Sequence, residues 1–293
     1  MIFLILSILL TSYLTLSFTV AGRLRIPVFQ AIVFNYITCV VTGSIINGRF
    51  PINESWAAQP WMTWALLMGC LFISIFNLIG FTTQELGVAV ASVANKLSLV
   101  IPFLYAVFFL NETATALKIG GLLLALVSVV LTCWPNKQGP EKNQKSVGRL
   151  LWLLPVIIFF GSGFLDALVK VVETRYLNEN NNNDFLISAF ATAAFIGCLV
   201  LMGLVAAKKQ RFDWRSIPAG IAIGVPNYFS IWCLVKVLKQ YGNNSSAIIP
   251  INNMGIVLFS AVVAAWLFKE KLSALNWTGI GVALLAIALI AFG

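Results

Sequence analysis

The sequence has 293 residues, of which 60% are hydrophobic and only 10% are charged. Its mean hydropathy of +0.93 excludes an ordinary soluble domain, because soluble domains carry about a quarter charged residues and one core could not bury so much apolar surface. The formal net charge of +9 would suit nucleic acid, but most basic residues fall in short segments between apolar runs, where they set membrane orientation. The composition therefore predicts a protein surrounded by membrane lipid, with no nucleic-acid partner.

Ten apolar runs follow one another along the chain, each close to the roughly 20 residues that a helix needs to cross the hydrocarbon. In chain order they are 2–20, 27–46, 61–83, 88–110, 116–134, 150–170, 185–207, 217–238, 247–268 and 276–292. The gaps between them are too short to hold a folded soluble domain. The sequence thus predicts an all-α integral membrane protein with ten transmembrane helices, and its function must reside between those helices.

Basic residues concentrate in two of the gaps, 137–149 and 208–215. Both gaps lie on the same side of the membrane if the ten spans alternate in direction. The positive-inside rule places that side in the cytoplasm and therefore both termini outside. We expect a multi-pass protein of the bacterial cytoplasmic (inner) membrane, either a monomer or a homodimer.

The chain contains an internal repeat. When the sequence is shifted by 158 residues against itself, Glu112 aligns with Glu270 without gaps through two apolar runs, and Asn95 aligns with Asn253. Five spans is an odd number, so the second copy begins on the opposite side of the membrane, as in the inverted repeats of many secondary transporters. The chain therefore divides into a first five-helix repeat, a basic linker loop and a second five-helix repeat, at 1–134, 135–149 and 150–293.

Short motifs at the ends of the two repeats carry a family resemblance. They are Phe109-Leu-Asn-Glu112-Thr and Leu267-Phe-Lys-Glu270-Lys-Leu, followed by Gly120-Gly121 and Gly279-Ile-Gly281. With the length, the span count and the repeat, they resemble the drug/metabolite transporter (DMT) superfamily, EamA type, over essentially the whole chain. The resemblance implies a ten-helix carrier working by alternating access, with a cavity lined mainly by the first, third, fourth, sixth, eighth and ninth helices.

The sequence departs from the pattern of that family in two respects. It lacks the basic N-terminus and the strongly basic second loop that are common there, and the family pattern would place both termini inside. It also carries a lysine in the middle of the fourth span. The loop charges and the resemblance therefore favour opposite orientations.

Two charged residues lie deep in predicted spans. Lys96 lies near the middle of the fourth, where a charge costs about 2.5–3.5 kcal/mol on insertion scales, so it needs a partner or a water-filled cavity. Asp166 in the sixth span is the only embedded carboxyl group, and it shares a helix face with Lys170. Either Asp166 pairs locally with Lys170, which can snorkel to the interface, or it reaches Lys96 across the cavity or carries protons during transport. An interior that tends positive favours a solute bearing a carboxylate or a phosphate.

Neutral polar side chains near the span centres complete the predicted cavity. Amide, phenol and indole groups can bind a polar solute, although each could equally form a helix–helix hydrogen bond worth about 0.6 kcal/mol. The predicted substrate-binding residues are Asn77, Asn95, Lys96, Asp166, Asn227, Tyr228, Trp232, Asn252 and Asn253, with Asp166 also the proton-coupling candidate. Gln30 and Asn35 are assigned to the scaffold. Glu112 and Glu270 are assigned structural roles at the N-termini of the helices that follow them.

Absent motifs exclude several enzyme classes. The chain contains no histidine, which is the commonest catalytic base and metal ligand, no phosphate-binding GxxxxGK[ST] loop and no CxxC pair among its five cysteines. We therefore expect no catalytic residue, metal or cofactor. The predicted function is secondary active transport, as a permease or exporter, of a small polar, anionic or zwitterionic metabolite. The alternatives are an integral-membrane enzyme acting on a lipid-phase substrate and a non-transporting membrane sensor.

Overall fold

The fold was obtained as a computed structural model. The structure describes residues 1–51, 56–85, 88–132, 134, 151, 153–178, 180–242, 244–268 and 273–293. The predicted basic linker loop at 135–149 and Glu270 lie outside these residues. Within the described part of the chain, the secondary structure is entirely helical and contains no β-strand.

Eleven α-helices follow one another in the described residues, together with a 3-10 turn at Trp56–Ala58. The helices are α1 (Ile2–Arg23), α2 (Val28–Asn47), α3 (Met62–Glu85), α4 (Val88–Leu97), α5 (Val100–Phe109), α6 (Ala116–Thr132), α7 (Leu153–Tyr176), α8 (Asn182–Ala206), α9 (Ser216–Gln240), α10 (Ser245–Phe268) and α11 (Ala274–Phe292). Helices are expected here because lipid offers no hydrogen-bond partner to the backbone, so each segment must satisfy its own N–H and C=O groups.

Nine helical segments among the described residues are long and apolar enough to cross a membrane. Eight of them are single helices, and the ninth, Val90–Phe109, combines α4 and α5. The fifth predicted span corresponds to α6, which has 17 residues and is shorter than the others. The chain is therefore a multi-pass, all-α membrane protein.

The sixth predicted span is longer than the sequence suggested. Hydropathy ended it at residue 170, but α7 continues to Tyr176. The charged residues that ended the apolar run, Lys170 and Glu173, are buried within the helix and form an ion pair with each other. Opposite charges one helical turn apart neutralise each other, so the helix can continue through them.

The first of two compact units comprises Met1–Asn77 and Leu168–Gln240. Within it α2 and α9 approach closely, because a Cβ atom on Gly220 would lie 2.3 Å from the Cβ of Phe34, and one on Gly224 would lie 2.5 Å from the Cβ of Thr38. Small residues at such contacts let helix backbones pack closely in lipid, where packing and interhelical hydrogen bonds drive association.

The second compact unit comprises Leu78–Ala167 and Tyr241–Gly293. Within it α6 and α11 run antiparallel. A Cβ atom on Gly121, near the start of α6, would lie 2.6 Å from Ile290 Cγ1, near the end of α11, and one on Gly279 would lie 2.5 Å from the Thr132 nitrogen. Each unit draws on both predicted repeats, and the division of the chain into inverted repeats stays a prediction.

The end of α6 is completed by one side chain of α11. Asn276 Nδ2 donates to the carbonyl oxygens of Leu131, Thr132 and Trp134 at 3.1, 3.0 and 3.0 Å. The last carbonyl groups of a helix have no partner inside the helix. Asn276, which also forms a capping box with Ser273 at the start of its own helix, therefore fastens the two helix ends together.

Candidate functional site

The fourth apolar segment is interrupted near its middle. The sequence predicted one continuous helix over 88–110, but α4 ends at Leu97 and α5 begins at Val100. Pro102 explains the break, because proline lacks an N–H and its ring clashes with the carbonyl group four residues earlier, at Ser98. The Ser98 oxygen instead accepts from the Ile101 nitrogen at 2.9 Å. Only Ser98 and Leu99 separate the two helices, and Leu99 keeps right-handed helical dihedral angles (φ −55°, ψ −20°), so the segment is a single interrupted span.

A chain of hydrogen bonds starts beside the break. Lys96 Nζ donates to Asn253 Oδ1 at 3.3 Å, and Asn253 Nδ2 donates to Asp166 Oδ2 at 3.1 Å. We call these three residues, from α4, α10 and α7, the Asn253 bridge. All three belong to the second unit and all were predicted site residues. The amide thus links the embedded lysine to the embedded carboxylate.

The Asn253 bridge combines two opposite charges with a neutral amide. An ammonium group carries three donors, and a carboxylate has two acceptor oxygens. Both charges are only partly buried, whereas the amide between them is 9% exposed. A neutral amide between opposite charges can be displaced from either one without leaving a net charge in the lipid. The arrangement is suited to exchanging its internal bonds for bonds to a polar solute.

Two buried oxygen atoms near the Asn253 bridge have no hydrogen-bond partner within the described residues. They are Ser162 Oγ, one helical turn before Asp166 on α7, and Asn252 Oδ1, in the residue next to Asn253. Buried polar groups are normally paired with protein or water. Both atoms are therefore available to a bound water or solute. Sequence analysis predicted Asn252 but missed Ser162, whose position one turn from Asp166 was the available signal.

The predicted residue Asn95 also lies at the break, in the last turn of α4. Its side chain is partly buried, and its carbonyl oxygen accepts a hydrogen bond from Ser98 Oγ. That bond lies across the break between α4 and α5, so the backbone of Asn95 takes part in the break.

Gly163 on α7 lets the break pack closely against that helix. A Cβ atom there would lie 2.4 Å from Ile101 Cδ1 and 2.8 Å from the Ser98 carbonyl oxygen. We expect Gly163→Ala to push the break away from α7, which lowers the Tm in detergent, since overpacking costs about 1–3 kcal/mol. Gly120→Ala is the matched control, because nothing lies within 4 Å of a Cβ at Gly120. Equal Tm values for the two variants would contradict this packing.

The remaining predicted site residues belong to the first unit. They are Asn77, Asn227, Tyr228 and Trp232. Asn77 Nδ2 donates to the Ile73 carbonyl of its own helix. Asn227 Nδ2 donates to Asn35 Oδ1 at 3.0 Å, which joins α9 to α2. Asn227 thus makes the helix–helix bond that was the alternative to solute binding, and Asn35 takes the scaffold role expected of it.

Gln30 makes a second scaffold contact in the same unit. Its Nε2 donates to the Arg211 carbonyl at 2.7 Å, and its Oε1 accepts from the Asp213 nitrogen at 2.9 Å. The fully buried amide therefore fastens α2 to the loop that precedes α9. This structural use matches the assignment made from the sequence.

Tyr228 and Trp232 share a partner that sequence analysis missed. Both donate to Oδ1 of Asn183 in the first turn of α8, at 3.5 Å from the tyrosine hydroxyl and 3.1 Å from the indole nitrogen. The ammonium group of Lys236 lies 5.3 Å from the centroid of the Trp232 ring. Asn183 belongs to the asparagine-rich segment 180–183, which reads as a loop because asparagine is typical of turns.

Lys170 is buried and does not extend towards water, so the expectation that it snorkels is wrong. Its side chain is 2% exposed, and Nζ donates to Glu173 Oε2 at 2.9 Å. The Thr174 hydroxyl donates to the same oxygen at 3.2 Å. A carboxylate one turn away removes the reason for the ammonium group to seek water.

Glu112 caps a helix, but not the one that follows it in the sequence. Its carboxylate accepts from the Ser245 and Ser246 backbone nitrogens, at 3.1 and 2.7 Å, and from the Ser245 hydroxyl. These groups form the N-terminus of α10, the helix that carries Asn253, rather than that of α6. Burial alone would raise the pKa of Glu112, but the serine hydrogen bonds outweigh it and hold the pKa below its ordinary value of 4.5.

Within the described part of the chain, no group of three or more histidine, cysteine, aspartate or glutamate side chains gathers to hold a metal ion. The functional groups brought together are instead one ammonium, one carboxylate and several amides and hydroxyls. Groups of this kind can hold a polar molecule through hydrogen bonds and charge.

Comparison with known proteins establishes the fold but not a family. No family model matches the chain. A protein of Haemophilus influenzae described as uncharacterized is 28% identical over 288 residues, covering 97% of this chain and 95% of its own. A solved crystal structure, whose description gives no function, matches this chain with a TM-score of 0.74 at 15% sequence identity. The match covers 99% of this chain and 96% of the other one. The chain thus shares its whole-length fold with a known structure.

Proposed function

We propose that this chain is a secondary active transporter of the DMT superfamily, EamA type, which moves a small polar, anionic or zwitterionic metabolite across the membrane by alternating access. The proposal counts α6 as the tenth span and takes the two halves as inverted five-helix repeats. It places the protein in the bacterial inner membrane, with a small-molecule substrate and with protons as the coupling ion.

The observation that carries the proposal is the Asn253 bridge beside a broken span. A lysine within a span is costly unless it is functional or paired, and an apolar packing of the same volume is often as stable as a buried ion pair. An embedded lysine, an embedded aspartate and an interrupted span in one small region favour a functional site over a purely structural bundle. A carrier can use such a region, because its site must bind a charged solute and then release it.

The chemistry of binding follows from the donors and acceptors. A carboxylate or phosphate oxygen of the solute accepts from Lys96 Nζ and replaces Asn253 Oδ1. The freed amide can bind the solute in turn, since it has both donors and an acceptor. Asp166 then has two possible partners. Its carboxylate can accept a hydrogen bond from the ammonium group of a zwitterionic solute. Alternatively it can take up a proton, because burial favours the neutral form of a carboxyl group once Lys96 has another partner.

Flux measurements test the proposal. The purified chain is screened with carboxylates, phosphates and amino acids for ligands that raise its Tm, since a ligand of the folded state stabilises it by mass action. The stabilising solutes are then labelled and offered to proteoliposomes. We expect saturable exchange, and accumulation against a gradient when a pH difference is imposed. Absence of saturable flux for every stabilising solute would overturn the transport function.

Asp166→Asn separates proton coupling from binding. The variant keeps an acceptor for Asn253 but cannot take up a proton, so we expect it to lose pH-driven accumulation while retaining solute exchange. Asp213→Asn is the control, because Asp213 lies in a loop, where its carboxylate pairs with Arg215 at 2.7 Å. Unchanged pH-driven accumulation in Asp166→Asn would assign the carboxylate to the scaffold.

A further inference from the structure

We infer that the first unit contains a separate anion-binding site, formed by Asn183, Trp232 and Lys236, which takes the carboxylate or phosphate group of a solute or of a lipid headgroup. The three residues come from the first turn of α8 and the last third of α9. None of them belongs to the Asn253 bridge, and the inference holds whether or not the chain is a carrier.

The orientation of the Asn183 amide is fixed by the indole. A tryptophan Nε1–H can only donate a hydrogen bond, so the amide atom that faces it at 3.1 Å must be the oxygen Oδ1. The Tyr228 hydroxyl lies 3.5 Å from the same oxygen. The amide nitrogen is therefore held away from the indole, and its two N–H donors have no acceptor within the described residues.

Lys236 adds a positive charge beside the same indole. Its ammonium group lies 5.3 Å from the centroid of the Trp232 ring, a cation–π contact. The described part of the chain gives this ammonium group no carboxylate within salt-bridge distance. Its three donors thus remain available to an oxygen anion.

The indole that links the two donors is held in place by aromatic neighbours. The Phe3 ring packs against Trp232 edge to face at a centroid distance of 5.7 Å, and the Phe229 ring does so at 6.4 Å. Trp232 thus places the amide bound to its nitrogen and the ammonium group over its ring beside the same side chain. A preformed pair of donors loses little conformational freedom when it binds a ligand.

The electrostatic surroundings also favour an anion. Asn183 lies in the first turn of α8, where the helix dipole is positive. Among the described residues, the carboxylate of Asp184 lies next to Asn183 in the chain; it accepts from Asn47 Nδ2 at 2.7 Å and pairs with Arg49 at 3.4 Å. Its charge is therefore balanced by a partner outside the site. Asn183, Trp232 and Lys236 are all partly exposed, so a ligand can reach them.

The site lies where either anion source can reach it. Asn183 is at the start of one span and Lys236 is within a turn or two of the end of another, so both are near the same membrane interface. Phospholipid headgroups carry phosphate at this depth, and water-soluble anions arrive from the adjacent solution. Both sources offer the same oxygen anion to the same two donors.

A fluorine label on tryptophan gives a direct test. The chain is produced with 5-fluorotryptophan, and the resonance of Trp232 among the nine tryptophans is assigned by its loss in Trp232→Phe. Inorganic phosphate and succinate are then titrated into the protein in an uncharged detergent. We expect either anion to shift the Trp232 resonance in a saturable way, with a midpoint that gives the dissociation constant. This readout needs no transport activity, so it stands apart from the test of the proposed function.

Four variants identify the donors. Lys236→Gln and Asn183→Asp should each weaken binding at least about tenfold, since one charge-assisted hydrogen bond contributes that much. Asn183→Asp keeps an acceptor for Trp232 and Tyr228, so it removes the amide donors without removing their partner. Lys236→Arg should stay close to wild type, and Lys239→Gln, an exposed lysine on the same helix, should bind like wild type.

A lipid titration distinguishes the two sources of the anion. The occupant is an anionic lipid headgroup if two results are found together. Short-chain phosphatidylglycerol must shift the Trp232 resonance at a lower concentration than phosphate does, and phosphatidylcholine must leave the resonance unshifted. If free phosphate or succinate binds as tightly as the lipid, the occupant is a soluble anion. An unmoved Trp232 resonance with all of these anions, or the same midpoint in Lys236→Gln as in wild type, would overturn the inference.

Discussion

Replacing Lys96 with methionine should weaken solute binding about tenfold to hundredfold while leaving the protein folded. One hydrogen bond to a charged group contributes about 1.5–3 kcal/mol, and each factor of ten corresponds to about 1.4 kcal/mol. The measurement is the dissociation constant of the solute identified by the stabilisation screen, for wild type and Lys96→Met at matched Tm. Lys96→Arg should also lose affinity, because a planar guanidinium does not reproduce the geometry of an ammonium group at a shaped site.

Two controls separate binding from scaffolding at Lys96. Losing the lysine leaves Asp166 without its positive counterpart, so the double variant Lys96→Met/Asp166→Asn shows whether that stranded charge accounts for the effect. Lys209→Met, at an exposed lysine of the loop before α9, should bind the solute like wild type. If Lys96→Met and wild type bind the solute equally, Lys96 belongs to the scaffold.

Glu112→Ala should lower stability strongly, by roughly 3–5 kcal/mol. The substitution leaves the Ser245 and Ser246 N–H groups and the Ser245 hydroxyl without their acceptor in a buried place, where Glu112 is only 7% exposed. It also removes a negative charge from the N-terminus of α10, where the helix dipole favours one. We expect the Tm in detergent to fall by about 10 °C.

The control for Glu112 is a glutamate whose carboxylate is exposed rather than buried. Glu85 at the end of α3 is exposed, and Glu85→Ala should change the Tm by no more than a few degrees. Glu112→Gln should resemble Glu112→Ala, because its amide nitrogen would face a donor. A Tm for Glu112→Ala within a degree or two of the Glu85→Ala value would show that the cap contributes nothing.

The pH dependence of stability gives a second measurement on the same residue. Folding lowers the pKa of Glu112 below its ordinary value of 4.5, so the unfolded chain binds its proton at a higher pH than the folded protein does. The stabilisation is therefore complete above that value and is lost as the pH falls through it towards the folded pKa. The Tm of wild type should fall over this range, whereas the Tm of Glu112→Gln should lack this component.

Hydropathy located the helices: nine helical segments among the described residues are long and apolar enough to cross a membrane, and the tenth predicted span, at α6, stays a prediction. Sequence analysis also selected Lys96, Asp166 and Asn253 from their depth and from the repeat, and the structure joins them by hydrogen bonds. The break at Ser98 was missed although Pro102 was visible, because hydropathy averages over the whole run and does not register a missing N–H.

Side-chain partners were harder to predict than spans. Each residue along a helix turns by 100°, and a lipid-facing surface is as apolar as a buried one, so hydropathy does not show which face meets another helix. Asn227 was therefore assigned to a cavity although it bonds to Asn35, and Glu112 was assigned to the helix next in sequence although it caps α10. Asn183 was missed because a run of asparagines indicates only a turn.

The hydrogen bonds from Asn276 to the end of α6 have a consequence for the order in which the helices assemble during synthesis. Asn276 follows Thr132 by 144 residues, so α6 leaves the ribosome long before its C-terminal carbonyl groups can meet their partner. At synthesis rates of about 5–20 residues per second, that interval lasts roughly 7–30 s. Until then α6, which is only 17 residues long, must keep its C-terminal carbonyl groups hydrated at the membrane surface. A helix made late thus completes the end of one made early, and the two can dock only after that interval.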